Sequence, residues 1–122
     1  PMLIKLYPLG TILEKVFILE QMYDYSLGKE IASYSITVKI PHIFKKKSFV
    51  NVIIVGHRER SLLGLPVPIN INNISSSALS CIPGISKSIA SDIILARPFR
   101  DGKKLEQYLI HVPALIKKYV II

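Results

Sequence analysis

The sequence contains no tryptophan, only two methionines and a single cysteine, Cys81. One thiol can form neither an intrachain disulfide nor a thiolate metal site, so both kinds of stabilising cross-link are excluded. No run approaches the 18 apolar residues of a membrane-spanning helix, and no secretory signal is visible. We therefore expect a cytoplasmic protein with no membrane partner.

Acidic residues are also scarce, with 8 Asp and Glu against 16 Lys and Arg. The carboxylates are scattered, and no pair has the arrangement of a general acid and base. The three histidines have no metal-ligand spacing. Ser61, Ser86 and His57 do not follow the order of a known catalytic triad, and Gly84–Lys87 is too short for a nucleotide-binding loop. We expect no enzyme activity, no metal and no cofactor on this chain.

The excess of basic residues gives a formal net charge of +8 and a pI near 9.7. Such a charge favours a polyanionic partner, although it also serves general solubility. The 122 residues, half of them hydrophobic, suffice for one ordinary domain or two small ones. The chain begins Pro1-Met2, so we expect either a piece of a longer protein or a residue left by processing.

The N-terminal half contains short apolar runs separated by polar turns. Strands are predicted at Thr11–Glu20, Tyr34–Ile40, Phe49–Val55 and Ser61–Leu65. In the first, alternation places Ile12, Glu14, Val16, Ile18 and Glu20 on one face. Four or five strands in about 60 residues predict a small β-barrel over residues 1–66, of the oligonucleotide-binding (OB) kind, with other small barrels left open.

Two polar turns of the predicted barrel carry most of its clustered basic residues. Lys45, Lys46 and Lys47 form a basic turn between two strands; three lysines are more commonly a solvated loop tip than a binding site. Arg58 and Arg60 lie in a second turn, where an ion-paired turn and a nucleic-acid contact both remain open. An earlier loop displays tyrosines that are suited to stacking on a single strand.

Residues 67–122 have helical patterns, and a Pro-Gly turn lies between the first two of them. Ser76–Ile82 leads into Pro83-Gly84, and Lys87–Ala96 follows. Gly84 can adopt the positive φ of such a turn. The N–H groups of Ile85, Ser86 and Lys87 are then expected at the exposed start of the second helix, where they and the Lys87 ammonium would bind a nucleic-acid phosphate.

Other residues of this half are expected to be structural. Further helices are predicted at Lys104–Ile110 and Leu115–Val120. Cys81 is expected to pack in the core. Asp92 is expected to pair with a nearby lysine.

The second half contains a series of short motifs in a fixed order: Ile69-Asn70-Ile71-Asn72, Ser77-Ala78-Leu79, Ile82-Pro83-Gly84-Ile85, Lys87, Ala90 and Ile93-Ile94. Together they resemble the helix-hairpin-helix module of competence-type DNA receptors. Val112-Pro113-Ala114 lies where a second hairpin is expected. Two positions depart from the pattern: Ser86 replaces the second hairpin glycine, and Ala114 replaces the glycine of the second hairpin, which is therefore expected to be structural.

A second resemblance covers nearly the whole chain. Pro8–Leu13, Leu27–Tyr34, Gly56–Ser61 and Leu65–Asn70 are similar to the C-terminal region of archaeal radical SAM proteins. That resemblance implies a small TRAM-like β-domain followed by a helix-hairpin-helix domain. The iron–sulfur cysteine triad of those enzymes is absent, so their chemistry cannot occur on this chain.

These observations predict an α+β protein, with an OB- or TRAM-like barrel followed by a helix-hairpin-helix domain. We expect it to bind DNA or RNA through backbone phosphates, without sequence specificity. The alternatives are the substrate-binding region of a radical SAM nucleic-acid-modifying enzyme, a ribosome-associated RNA-binding protein within a larger ribonucleoprotein, and a protein–protein scaffold. The predicted contact residues are Gly84, Ile85, Ser86, Lys87, Lys45, Lys46, Lys47, Arg58 and Arg60.

Overall fold

The computed structural model describes residues 6–30 and 36–122. The chain divides into two compact units, the first ending at Val67 and the second beginning at Pro68. Strands build the first unit and short helices dominate the second, so the protein is α+β with an N-terminal barrel. Residues 34 and 35 of a predicted strand, and 31–34 of the radical SAM resemblance, lie outside the described residues. In the described part of the chain, no helix is long and apolar enough to cross a bilayer.

The first unit is a closed five-stranded barrel, which confirms the predicted small β-barrel and adds a strand at Ser26–Lys29. Its strands are β1 (Ile12–Gln21), β2 (Ser26–Lys29), β3 (Thr37–Ile40), β4 (Phe49–His57) and β5 (Ser61–Pro66). They close in the order β1-β2-β3-β5-β4, and every pair is antiparallel except the parallel pair β3–β5. Closure leaves no unpaired sheet edge, and the architecture is consistent with an OB-like fold.

The barrel core contains aliphatic side chains from β1, β3, β4 and β5. The predicted strict alternation of faces along β1 is wrong between Leu13 and Val16, because the side chains of both residues face the core. The register with β4 shifts between these two residues, and Lys15 has a φ of 57°. This β-bulge inserts an extra residue, which reverses the faces of the residues before it. The Lys15 N–H donates to Oδ1 of Asn51 at 2.9 Å, so the one polar residue within the apolar run of β4 holds the bulge.

The second unit begins and ends in a two-stranded parallel sheet that the sequence does not predict. In this sheet β6 (Ile69–Asn70) pairs with β7 (Val120–Ile121). Four helices lie between them: α1 (Ser76–Leu79), α2 (Lys87–Ala96), α3 (Gly102–Glu106) and α4 (Ala114–Lys117). The predicted bounds of α2 are confirmed, whereas α1, α3 and α4 are shorter than predicted. Ala90 and Ile93 of α2 are buried in the core of this unit.

Asn70 and Asn72 hold the segment before α1 in place. Oδ1 of Asn70 accepts from the Asn72 N–H at 3.0 Å. The Asn72 amide bonds the Phe99 backbone in both directions, donating to its oxygen at 3.1 Å and accepting from its nitrogen at 2.7 Å. Phe99, next to the cis Arg97–Pro98 bond, is buried. The second asparagine of the N-x-N pattern therefore links the segment after α2 to the segment before α1 through two hydrogen bonds.

Candidate nucleic-acid interface

The turn between α1 and α2 contains Gly84, as predicted, with a φ of +90°. A Cβ atom at this position would lie 2.2 Å from the carbonyl oxygen of His111 and 2.8 Å from the nitrogen of Val112. Both distances are shorter than any real Cβ contact. Gly84 is therefore required twice, for its backbone conformation and for the close approach of the segment that precedes α4.

The start of α2 presents a different set of N–H donors from the one that the sequence predicts. Ile85 is buried, and its N–H donates to the carbonyl of Ile82 at 3.0 Å, so the prediction that this N–H group is exposed is wrong. Ser86 is the N-cap, and its Oγ accepts from the Ile89 N–H at 3.2 Å. The N–H groups of Ser86, Lys87 and Ser88 precede the first intrahelical bonds, and none of the three has an acceptor among the described residues.

The start of α2 therefore offers three N–H groups and one ammonium group, all at an exposed helix end. Lys87 and Ser88 are both exposed. The helix dipole adds partial positive charge at this end. Ser86 stabilises the helix by capping it. The glycine that the helix-hairpin-helix pattern has at this position has no side chain and could not form this hydrogen bond.

The lysine turn, Lys45–Lys47, is exposed and is tied closely to β1. The Ser48 N–H donates to the carbonyl of Lys45 at 3.2 Å, and Lys47 has a φ of 70°, so the turn is tight. Ile18 bonds this segment on both sides: its oxygen accepts from the Lys47 N–H and its N–H donates to Ser48, each at 2.9 Å. The only carboxylate of the described residues within 4.0 Å of the turn's ammonium groups belongs to Glu20, which lies 3.7 Å from Lys46.

The arginine turn, Arg58–Arg60, connects β4 to β5. All three of its residues are exposed, and the Arg58 N–H donates to the carbonyl of Ser61 at 2.8 Å. Neither guanidinium group lies within 4.0 Å of a carboxylate in the described part of the chain, Glu59 included. The ion-paired alternative for this turn is therefore wrong. Asp92 likewise makes no ion pair with a described residue, contrary to the prediction.

Aromatic side chains on the barrel exterior are the feature that the sequence does not reveal. Phe17 and Phe49 are partners across β1 and β4, and their ring centroids lie 5.2 Å apart. Tyr23 is almost fully exposed, whereas the ring of Tyr25 is faced by the Lys39 ammonium at 4.4 Å. The two phenylalanines read as core residues in a strand pattern, and only the strand register shows that they face outward.

The remaining reactive groups have structural surroundings. Cys81 is only partly buried, less than predicted, and its thiol donates to the carbonyl of Ser77 at 3.3 Å. Burial raises the pKa of the Tyr7 hydroxyl, and the Glu30 carboxylate that accepts its hydrogen bond at 3.1 Å raises it further. Among the described residues, no three His, Cys, Asp or Glu side chains cluster closely enough to hold a metal ion.

Comparison of the chain with protein-family models, with curated proteins and with solved structures gives no significant match. The resemblances to helix-hairpin-helix modules and to the radical SAM C-terminal region therefore rest on sequence motifs alone, and both stay predictions.

Proposed function

We propose that this protein binds nucleic acid, DNA or RNA, through backbone phosphates and without sequence specificity. The observation that carries the proposal is the separation of exposed basic side chains from carboxylates. The three turns carry six such side chains: Lys45, Lys46, Lys47, Arg58, Arg60 and Lys87. Of these six side chains, only that of Lys46 lies within 4.0 Å of a carboxylate in the described part of the chain. Exposed positive charge without internal partners is what phosphate groups neutralise.

The positive charge is shared by the two units. Residues 1–67 contain nine Lys and Arg against five Asp and Glu, a net charge of +4. Residues 68–122 contain seven against three, again a net charge of +4. A general solubility role requires only the charge, whereas a phosphate-binding role also requires donors at a fixed position. The exposed start of α2 beside Lys87 supports the second role.

The finer fold assignments belong to the same proposal. We take the second unit as a helix-hairpin-helix domain, in which α1, the Gly84 turn and α2 form the hairpin. The supporting observations are the positive φ of Gly84 and its contact with the turn before α4. We take the barrel as OB- or TRAM-like, because its strand order and its closure fit a small oligonucleotide-binding barrel.

A salt titration tests the proposal directly. Binding of a fluorescent 15-nucleotide single strand and of a duplex of the same length is measured by anisotropy between 50 and 300 mM salt. Six phosphate contacts predict a slope of log K against log salt of about −4 for the single strand and about −5 for the duplex. Two unrelated sequences should bind with the same affinity. Absence of binding at 50 mM salt, or a flat salt response, would refute the proposal.

A further inference from the structure

Strand pairing aligns five exterior residues, one from each strand, in a row that runs around the wall of the closed barrel. Phe49 is opposite Phe17, Phe17 opposite Lys29, Lys29 opposite Thr37, and Thr37 opposite Ser61. Side chains at directly opposite positions project from the same face of a sheet. The sequence neighbours Ile18, Gly28, Val38 and Leu62 are buried, which confirms that the row faces outward. We name these five residues the barrel track; none of them is acidic.

The barrel track begins and ends at a basic turn. Phe49 follows the lysine turn after one residue, and Ser61 directly follows Arg60. Along the curved barrel wall, the first and fifth positions are separated by four strand spacings, or about 19 Å. Since the barrel has five strands, the track follows most of its circumference. Glu20, in the neighbouring row opposite Leu27, has its charge offset by Lys46. A polyanion along the track would therefore meet positive charge at both ends and at Lys29.

The aromatic end of the track is accessible to a ligand. Phe49 is 56% exposed and is not part of the buried core cluster of the barrel. Its ring and that of Phe17 are tilted by 58°, so the pair presents aromatic surface beside the Lys29 position. Flat aromatic surface next to positive charge is the chemistry that binds unpaired bases, because every base has a π-face that can stack. A duplex keeps its bases stacked inside and gains nothing from such a surface.

We infer that the barrel track binds single-stranded nucleic acid, with bases stacked on Phe49 and Phe17 and phosphates held by the lysine turn, Lys29 and the arginine turn. The inference rests on the proposed function and deepens it, because it adds base contacts and selects an unpaired strand at the barrel. DNA and RNA share the chemistry that the track recognises.

The decisive experiment distinguishes contacts with bases from contacts with phosphates. The affinity of the whole chain for a 15-nucleotide single strand is compared with its affinity for an abasic strand of equal length and charge, in DNA and RNA series. The intact strand should bind about 5- to 150-fold more tightly for each base that stacks. Phe49→Ala should reduce this ratio at least about 5-fold and leave the salt slope unchanged. Phe49→Tyr, which keeps an aromatic face, should preserve the ratio.

Two further variants make the outcome unambiguous. Phe49→Leu keeps the apolar contact with Phe17 but removes the aromatic ring. It should therefore reduce the ratio of intact-strand to abasic-strand affinity as Phe49→Ala does, and it provides the test even if the alanine variant is poorly folded. Leu95→Ala removes a side chain that is 83% exposed on α2 and should leave the ratio unchanged. Equal binding of intact and abasic strands would contradict base stacking on the barrel track but would leave the proposal of phosphate binding intact. Failure of both strands to bind would overturn the proposed function itself.

Discussion

Gly84 joins a backbone requirement to a packing requirement at a single residue. Its φ of +90° is a conformation that L-residues rarely adopt, and its Cα lies against the backbone of His111 and Val112. The clash that a side chain would cause involves backbone atoms, which cannot rotate away as the end of a side chain can. The positive φ can be anticipated from the Pro-Gly pair, whereas the contact with a segment 27 residues later cannot.

Replacing Gly84 by Ala should lower the free energy of unfolding of the second unit by at least about 3 kcal/mol, because backbone strain and steric overlap add. Gly102→Ala is the matched control. A Cβ at Gly102 has no atom within 4 Å, and the residue starts α3, so alanine there should be neutral or slightly stabilising. Urea denaturation of the two variants measures the difference. Equal stability of both would contradict the packing role of Gly84.

At the scale of elements, the bulge at Lys15 shifts the register between β1 and β4 by one residue. The Asn51 side chain supplies the acceptor that the bulged backbone lacks in the sheet ladder. The bulge lets Leu13 enter the core together with Val16 and Ile18, which strict alternation does not allow. A polar residue in an otherwise apolar strand is thus explained by its partner on the neighbouring strand.

Asn51→Ala should lower the free energy of unfolding of the barrel by about 0.5–1.5 kcal/mol, since the Lys15 N–H loses its acceptor. Asn51→Asp keeps an oxygen at the same position and should retain most of the stability. Because Asn51 is exposed, neither change creates a cavity, and the difference between the variants isolates the hydrogen bond. Chemical denaturation that shows the aspartate variant to be as destabilised as the alanine variant would rule out this role for Oδ1.

The sequence predicts elements well where the signal is local. Short apolar runs between polar turns identify four of the five barrel strands, and the helical pattern of Lys87–Ala96 identifies α2. Helix α1 ends earlier than predicted because the chain continues in tighter i→i+3 bonds, from Cys81 N–H to Ala78 and from Ile82 N–H to Leu79. The β6–β7 pair has no detectable pattern, since two-residue strands about 50 positions apart have no periodicity.

The candidate site is less predictable than the fold for a related reason. The basic turns are visible in the sequence because lysines and arginines cluster there. The barrel track is not, because it depends on pairing between strands whose positions are far apart in the chain. Register converts Phe17 and Phe49 from apparent core residues into neighbours on the exterior. A surface built across strands therefore requires the structure.

At the scale of the whole molecule, each unit has its own candidate contacts with nucleic acid. The barrel has the lysine turn, the arginine turn and the track between them, and the second unit has the start of α2. Two modules on one chain that bind the same strand gain affinity, because the second contact forms at a high effective concentration. Weak phosphate contacts in each unit can thus yield tight but salt-sensitive binding overall.

This arrangement predicts additive losses from the two units. Lys87→Ala should reduce the magnitude of the salt slope by about 0.7–0.9, and the triple change of Lys45, Lys46 and Lys47 to Ala should reduce it by about 2.1–2.7. In a variant that combines all four substitutions, the loss in binding free energy should equal the sum of the two separate losses to within about 0.5 kcal/mol, as expected for independent sites that bind one ligand. Lys117→Ala is the control: it removes one charge, but this ammonium lies 3.2 Å from Glu106 and should contribute little to binding. Salt titrations of the four variants measure each slope. If Lys87→Ala behaves like Lys117→Ala, the hairpin is not a phosphate site; if the triple variant keeps the original slope, the barrel turn is a solvated tip.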